Sequence, residues 1–460
     1  MSEKPLLSAL VPLHHRRSAT KRSGARRLGV ALGVLGLTAA GFLMPSQFAP
    51  QADAAWSASQ ALESSSWLPF TAEPALGTTR GSDTVAVWTA QNPTDDAKRV
   101  RLRRISSTGA LGSLVTVSPS PGSAGGMTVS HPAAAVDADG DVVVAWTAQD
   151  PAASNAWQVF ARRLSRTGEL GAVRRLGAVG AHGWNPTVAV GDKGGAVVTW
   201  ESDNSQLAAR FGLSSQVVGR FQVGQRTTSR AAQVKATPAG TFLLPGMNLD
   251  GRAELTTLRW DGTRSKSVLD PTHYSNAVDA DADATGRTHI AYTRDVSTGD
   301  RLVVRRSTSS GLTAQAYVSP STHDVRYATI DTDRDGDSLV SWVSRTGRST
   351  FRLYLRQWRA DGTFGPVQDL GQLETVSAAS VYLPRFPAVA VDSDGDAIVA
   401  GTSSGDATWR RTVTRAGTVS SPTTVLGSGA GISTATITPA GRARVASHST
   451  ASGQVYLRAG

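Results

Sequence analysis

Short apolar runs alternate along most of the chain with turns rich in Asp and Gly. The stretch AAAVDADGDVVVAWTAQDP from Ala133 has a small apolar run, an acidic turn, a second apolar run and a polar loop. The stretch AVAVDSDGDAIVAGTSSGD from Ala388 repeats this order. Because Asp-Gly and related pairs supply the positive φ angles of tight hairpins, each stretch predicts two antiparallel strands.

The pattern recurs about eight times, with a period of roughly 45–59 residues. Other copies begin near Asp83, Thr187, Ala232, Ala277, Tyr327 and Ser433. Each copy continues into a third and a fourth strand, as in VFARRLSRTGELGAVRRLG from Val159. Each copy therefore predicts a four-stranded antiparallel meander.

The strand compositions indicate how these meanders pack. The second strands are apolar without alternation, as in Val142 to Trp146, which predicts burial on both faces. An aromatic residue closes this strand in five copies: Trp88, Trp146, Trp200, Tyr292 and Trp342. The first strands are small and apolar, as expected where blades converge on an axis. The pattern predicts an all-β chain that forms a single closed β-propeller of about eight four-stranded blades.

Two details bear on the blade count and on closure. The copy from Arg230 to Asp270 has Pro245 and Gly246 where its neighbours have an aromatic residue, so seven blades remain an alternative. The last copy ends after its third strand, and WSASQALESSS from Trp56 is a strand-like segment without a blade. We expect this N-terminal strand to join the last blade and close the ring.

The repeats resemble those of bacterial secreted β-propeller proteins, in the neighbourhood of the sialidase-like repeats. The resemblance covers the chain after its first 54 residues. Trp146 lies further past its turn than the aromatic residue of a sialidase Asp-box does. Propellers host lectins, hydrolases, lyases and scaffolds, so the resemblance implies a fold and not one activity.

Residues 1–54 have the pattern of an export signal. An uncharged, largely apolar stretch runs from Leu28 to Met44, and Ala52-Asp53-Ala54 offers small residues for cleavage near position 54/55. A basic run precedes that stretch, formed by Arg16, Arg17, Lys21, Arg22, Arg26 and Arg27. We expect a secreted mature domain, residues 55–460, with no membrane contact. An uncleaved anchor is the alternative, because 17 residues is the lower limit for a span.

Composition and charge exclude several classes of function. The chain has no cysteine, which excludes disulfides, thiol nucleophiles and thiolate metal sites. The net charge is +11, but seven of the 47 Lys and Arg residues lie in the signal and the others are spread evenly. Nucleic-acid binding requires a clustered basic surface, so we expect no such partner. The chain also lacks Gly-x-Ser-x-Gly, His-Glu-x-x-His and phosphate-loop motifs.

Four histidines fall in the connections that precede first strands. In a propeller these loops open on one face around the channel mouth, where convergent polar and aromatic groups predict a binding site. The candidate ligand-binding residues are His131, His182, Trp184, His273, Tyr274, His323, Asp324, Tyr327, Glu374 and Arg385. A metal ion held by several of the histidines is an alternative.

Two further residue sets recur with the repeats. The turn DTDRDGD places Asp331, Asp333 and Asp335 at calcium-loop spacing, but the bidentate Glu of such a loop would fall at Trp342. We expect hairpin caps and no cofactor, with calcium as the alternative. An arginine recurs in the third strand, for which we expect a structural role: Arg103, Arg162, Arg305, Arg356 and Arg411.

These observations predict a secreted, non-catalytic binding propeller. Its ligand would be an extracellular polysaccharide, a cell-wall component or a protein, and we expect the mature chain to be a monomer. One alternative is a glycan hydrolase or lyase, with His273 or His323 as base and Asp324 or Glu374 beside it. A structural or adhesive repeat module is the other alternative.

Overall fold

A computed structural model describes most of the chain after its first 56 residues. The described residues are 57–63, 68–69, 74–78, 83–92, 94–120, 127–150, 156–192, 194–212, 214–225, 233–297, 299–347, 350–373, 388–402, 407–427, 430–449, 452 and 454–460. Their regular structure is entirely β, as the sequence predicts, and no helix able to cross a membrane occurs among them. The predicted signal, residues 1–54, lies outside this part.

The strands follow the predicted repeats, which we number 1 to 8 along the chain. The strands of the first half are β1 (Gln60–Ala61), β2 (Leu68–Pro69), β3 (Ala75–Thr78), β4 (Thr84–Gln91), β5 (Lys98–Ile105), β6 (Leu111–Thr116), β7 (Met127–Val136), β8 (Val142–Asp150), β9 (Ala156–Leu164), β10 (Arg174–Arg175), β11 (Trp184–Val190), β12 (Ala196–Ser202), β13 (Ser205–Phe211), β14 (Val217–Gln225), β15 (Lys235–Ala236), β16 (Thr241–Met247), β17 (Ala253–Arg259) and β18 (Arg264–Val268). Repeat 1 comprises β2 to β6, and repeats 2, 3 and 4 begin at β7, β11 and β15.

Repeats 5 to 8 begin at β19, β24, β28 and β32. The strands of the second half are β19 (Val278–Ala282), β20 (Thr288–Val296), β21 (Gly299–Thr308), β22 (Gly311–Leu312), β23 (Ala316–Tyr317), β24 (Asp324–Thr332), β25 (Ser338–Arg345), β26 (Phe351–Trp358), β27 (Gln368–Gln372), β28 (Ala388–Val391), β29 (Ala397–Thr402), β30 (Thr408–Val413), β31 (Thr423–Leu426), β32 (Ala430–Ile437), β33 (Ala443–Ser449) and β34 (Gln454–Ala459). Within each repeat the strands pair antiparallel in chain order, except that β2 and β3 both pair with β4 and that β22 and β23 both pair with β21.

Repeat 4, the degenerate copy, also forms a four-stranded meander. Its first strand β15 pairs only with Phe242 and Leu243, so Pro245 lies beyond the paired part of β16 on that side. A proline can lie there because no partner requires its missing N–H group. Gln225 of β14 pairs with Met247 of β16, which joins repeats 3 and 4 into one eight-stranded sheet.

The hydrophobic core lies between successive repeats. Each apolar cluster of the described residues combines side chains of two neighbouring repeats. One further cluster joins the first and last repeats, where Trp88 and Ile105 pack with Leu62, Val455 and Leu457. The aromatic residues that close the second strands are all buried in these layers, at 2% exposure or less: Trp88, Trp146, Trp200, Tyr292 and Trp342. This explains the absence of alternation in the second strands.

The N-terminal strand pairs with the last repeat, as the sequence predicts. In β1, Gln60 lies opposite Leu457 of β34, in antiparallel register. The N–H of Leu62 donates to the carbonyl of Val455 at 2.9 Å. Leu176, at the end of the fourth strand of repeat 2, donates in the same way to Val159 at 2.8 Å. Leu62 therefore takes the place of a residue that ends a fourth strand.

The recurring arginines hold neighbouring repeats together through backbone carbonyls. Arg162 donates to Gly171 of its own repeat at 2.6 Å and to Val117 of the preceding repeat at 2.9 Å. Arg103 does the same, donating to Gly112 and to Leu62, both at 2.8 Å. Arg305 and Arg356 follow the same rule. The predicted structural role is confirmed for these four, with carbonyl groups as partners and not tryptophan rings or acidic turns.

Gly336 in repeat 6 lies against charged groups of repeat 5. Its φ is +93°, and a Cβ there would come within 2.9 Å of Arg287 and 3.1 Å of Asp283. We expect Gly336→Ala to lower the free energy of unfolding by about 1–3 kcal/mol, because alanine strains the backbone and displaces those groups. Gly362, with a φ of +89° and nothing near its Cβ, is the matched control. Equal losses in denaturant titrations of the two variants would show that the contact with repeat 5 adds nothing.

Candidate functional site

The connections between second and third strands, and between fourth and first strands, lie at one end of each meander, which we call the loop face. The turns between first and second strands, and between third and fourth strands, lie at the opposite end. His273 and Tyr274 belong to the connection from β18 to β19. They lie beside the hairpin of β20 and β21, which contributes Arg294 and Arg301. These residues form the best-defined polar cluster of the loop face.

Asp270 is the centre of that cluster. It is buried, and one carboxylate oxygen accepts hydrogen bonds from Thr272 N at 3.0 Å and from Thr272 Oγ1 at 2.8 Å. Its other oxygen lies 3.0 Å from Nε of Arg294. Burial raises the pKa of Asp270, but the bonds from Thr272 and His273 and the charge of Arg294 outweigh it and lower the pKa to about 2. Asp270 is thus a fixed negative charge.

His273 orients Arg294 and has no free ring nitrogen. Its Nδ1 lies 3.3 Å from Asp270 and 2.6 Å from Thr272 Oγ1, which assigns the proton to Nδ1. Its Nε2 lies 3.3 Å from Nη2 of Arg294 and accepts from it. Because both nitrogens are used inside the protein, His273 in this arrangement offers no lone pair to a metal ion or to a substrate proton.

Arg294 and Arg301 lie directly opposite each other on β20 and β21. Nη1 of Arg294 donates to the hydroxyl of Tyr317 at 2.8 Å. The guanidinium of Arg301 lies over the ring of the same tyrosine, 3.9 Å from its centroid, and donates to the carbonyl of Ser319 at 2.9 Å. Tyr317 thus holds two arginines side by side at the surface.

Tyr274 completes the cluster with an exposed ring. Its side chain is 66% exposed and lies against the turn at Gly251, where a Cβ would be 3.3 Å from its Cδ1. Leu249 of the same turn is 73% exposed. These two are the most exposed large apolar side chains among the described residues, and they form an apolar surface beside the arginines.

His323 lies in the next connection and accepts a hydrogen bond from a buried tryptophan. Its Nδ1 accepts from Nε1 of Trp342 at 3.1 Å, so the proton of the neutral ring is on Nε2. Its ring lies 4.2 Å from that of Tyr354. Burial lowers the pKa of His323, which favours this neutral form. Neighbouring Asp324 is engaged by Arg326 at 2.7 Å and Arg345 at 3.1 Å.

The other candidate residues are distributed as follows. His182 stacks on Trp184 in repeat 3, with ring centroids 5.3 Å apart. His131, on β7, is exposed and lies 3.0 Å from the hydroxyl of Ser130. Tyr327, predicted on the binding face, is instead buried in the core between repeats 6 and 7. Glu374 and Arg385 lie outside the described residues.

The acidic turns are capped hairpins. Asp333 Oδ1 accepts from the N–H groups of Asp335, Gly336 and Asp337 at 2.8–2.9 Å. Asp335 pairs with Arg415, and Asp331 pairs with Lys235. The three predicted calcium ligands therefore face different partners. Among the described residues, no group of three His, Asp or Glu side chains is placed to hold a metal ion.

A charged cluster that the sequence did not predict lies on the first strands. It comprises Lys235, Asp279, Asp281 and Asp331. Nζ of Lys235 in repeat 4 lies 3.2 Å from Asp331 in repeat 6. Asp279 and Asp281 of repeat 5 accept from the N–H groups of Ile330 and Thr332. Burial raises the pKa of Asp279 to about 6 and that of Asp281 well above its usual value, although Lys235 opposes both shifts. The aspartates in VDADAD are its sequence signature.

A cavity of about 250 Å³ lies where the first strands of repeats 1 to 5 end. Its lining residues are Thr78, Val136, Asp137, Ala138, Val190, Asp192, Ala236, Thr237, Pro238 and Ala282. These lie at the turns between first and second strands, so the cavity belongs to the end opposite the loop face. The predicted convergence of first strands is visible here.

Arg294, Arg301 and Tyr317 were also missed. The segment TRDVSTGDR, from Thr293, has the composition of an ordinary polar hairpin. That Arg294 lies opposite Arg301 depends on the position of the turn, which the sequence alone does not specify. The contact with Asp270 of the preceding repeat has no local sequence signature.

The comparisons with known proteins give fold likenesses at low identity. A lectin of Burkholderia pseudomallei, BP39L, is 13% identical, with a TM-score of 0.49, over 78% of this chain and 99% of its own. An ulvan lyase of a polysaccharide lyase family is 12% identical, with a TM-score of 0.44, over 76% and 93%. The β-propeller domain of the Trilobed protease from Pyrococcus furiosus is 11% identical, with a TM-score of 0.42, over 75% and 93%. No family model and no curated protein matches the chain.

Proposed function

We propose that the eight repeats are the blades of one closed β-propeller. Two observations support closure: the pairing of β1 with β34, and the apolar cluster that joins the first and last repeats. The arginine contact supports it too, because Arg103 reaches Leu62 as Arg162 reaches Val117. Pairing the two ends would give the last blade four strands, as in repeats 2, 6 and 7.

We propose that the mature protein, residues 55–460, is secreted as a monomer and binds a saccharide on the loop face. The observation that carries this proposal is the Tyr274 ring, 66% exposed and beside the cluster of His273, Arg294 and Tyr317. A sugar ring presents C–H groups that pack on an exposed aromatic face and hydroxyls that bond to fixed polar groups. Arg294 is fixed in this way by Asp270 and His273.

The geometry favours binding over hydrolysis or elimination. His273 uses both ring nitrogens inside the protein, and His323 accepts from Trp342 with its only lone pair. A general base requires a free lone pair within reach of a substrate proton. Neither histidine supplies one, and His273 instead positions Arg294.

We expect Tyr274→Ala to weaken binding to a retained polysaccharide at least tenfold, because the ring supplies the packing surface. Val218→Ala is the matched control, since Val218 is also exposed but lies on β14, an outer strand. The measurement is affinity electrophoresis of the mature chain through gels that contain individual polysaccharides. Equal retention of the two variants would exclude Tyr274 as part of the site.

A further inference from the structure

We propose that Arg294 and Arg301 bind the negative group of an acidic saccharide, a carboxylate or a sulfate. This inference rests on the proposed function and names the class of saccharide for the same site. It follows from the positions of the two arginines, from their unequal neutralisation, and from the two tyrosines that border them.

Two like charges lie together on one hairpin. Arg294 and Arg301 are direct cross-strand neighbours on β20 and β21. Like charges in that position repel each other and destabilise the hairpin. An anion between them would remove the repulsion, so a bound carboxylate or sulfate would find two donors already in place.

Only one of these two charges is neutralised by a carboxylate. Arg294 lies against Asp270, with 3.0 Å between Nε and the carboxylate. Arg301 contacts the Tyr317 ring and the carbonyl of Ser319, and within the described part of the chain no carboxylate forms an ion pair with it. Other arginines at this end of the meanders do have one: Arg326, Arg345 and Arg352.

The acidic residues of the same hairpin do not offset this charge. Asp295 and Asp300 are also cross-strand neighbours, one position further along β20 and β21. Because side chains alternate between the two faces of a strand, they lie on the face opposite Arg294 and Arg301. There Asp300 contacts Asn276 and lies 3.5 Å from Arg326. The Arg294 and Arg301 face has a net positive charge.

An exposed aromatic surface lies beside the positive charge. Tyr317 is 37% exposed and lies between the two guanidinium groups, and Tyr274 is exposed on the neighbouring connection. A sugar ring that packs on a tyrosine could direct an attached anionic group toward Arg301. A free inorganic anion has no C–H groups to pack on this aromatic surface, so the surface favours an anionic saccharide.

The experiment compares charged polymers with their neutral counterparts. The probes are polygalacturonate against its methyl ester, for the carboxylate, and dextran sulfate against dextran, for the sulfate. The proteins are the mature wild-type chain, Arg301→Gln, Arg301→Lys and Arg264→Gln. Arg264 is the matched control because it also stacks on an aromatic ring, Phe221 at 4.7 Å, but on an outer strand.

We expect at least one charged polymer to bind tenfold or more tightly than its neutral counterpart, and less tightly as salt is raised. Arg301→Gln should weaken that binding about tenfold, with Arg301→Lys closer to wild type and Arg264→Gln equal to it. Preference for polygalacturonate would assign a carboxylate, and preference for dextran sulfate a sulfate.

Two results would overturn the inference. If charged and neutral polymers bound equally, the proposed saccharide site at Tyr274 would stand, but recognition of an anionic group there would be excluded. If Arg301→Gln bound the charged polymer as tightly as the wild-type chain does, the anion would bind at a different site. If the wild-type chain retained no polysaccharide of either kind, the proposed function would fail together with the inference.

Discussion

Replacing Leu62 with alanine should lower the free energy of unfolding by about 2–5 kcal/mol, as for other buried leucines. Leu62 is fully buried, although it lies almost four hundred residues before its partners Val455 and Leu457. Its N–H donates to Val455 and its carbonyl accepts from Arg103. The contacts with Val455 and Leu457 exist only if the N-terminal strand pairs with the last repeat.

Leu176→Ala is the matched control for this variant. Leu176 is equally buried and donates its N–H to Val159 in the same way, but within a continuous stretch of chain. In a closed ring the two variants should lose similar stability in urea titrations of the mature protein. A loss at Leu176 with almost none at Leu62 would show that the ends are not paired in solution.

Replacing Lys235 with methionine should lower the free energy of unfolding by about 2 kcal/mol at neutral pH. Removing one member of a fully buried ion pair costs about 3–5 kcal/mol, because the other charge stays buried without a partner. Lys235 keeps 29% side-chain exposure, which reduces the effect. The variant leaves Asp279, Asp281 and Asp331 together with no cation.

The loss should depend on pH in a defined direction. Burial raises the pKa of Asp279 to about 6 and that of Asp281 well above the value of about 3.9 in an unfolded chain. A carboxyl group with a raised pKa favours the folded state below its unfolded pKa, and that contribution is lost as pH rises through the folded pKa. The deficit of Lys235→Met should therefore be small at pH 4.5 and full at pH 8.

Lys266→Met provides the comparison for the pH dependence. Lys266 also pairs with a carboxylate, Glu254 at 2.7 Å, but it is more exposed. We expect it to cost less than about 1 kcal/mol, with little change between pH 4.5 and 8. A deficit of Lys235→Met that stays constant over this range would mean that the aspartates do not depend on the lysine.

The repeats could be predicted because every blade must satisfy the same local requirements. The Asp and Gly turns of DADGD and DSDGD form capped hairpins in the structure, as predicted, and Trp146 and Trp342 are buried in the core. The pairing of the N-terminal strand around Leu62 with the last repeat could also be predicted, because the last copy lacks a fourth strand. Closure and the count of eight remain proposals.

The sequence indicated which connections carry polar clusters, but not all of the side chains that form them. The connections with His273 and His323 do form polar clusters with aromatic rings, but Tyr327 is buried because its position on β24 faces the next repeat. The pair of Arg294 and Arg301 depends on the register of a hairpin. Lys235 of repeat 4 contacts Asp331 of repeat 6, and no local sequence pattern predicts a contact between repeats that are not adjacent in the chain.

Hydrogen–deuterium exchange of the mature protein tests the saccharide site most directly, with and without a saturating amount of whichever charged polymer it binds more tightly, polygalacturonate or dextran sulfate. We predict slower exchange in residues 270–276, 294–297, 299–301 and 315–319, the segments that contain Asp270, Tyr274, Arg294, Arg301 and Tyr317. The turns at the opposite end, including those around Asp137 and Asp192, should exchange as before. Slower exchange at those turns, or no change at the loop face, would contradict the account.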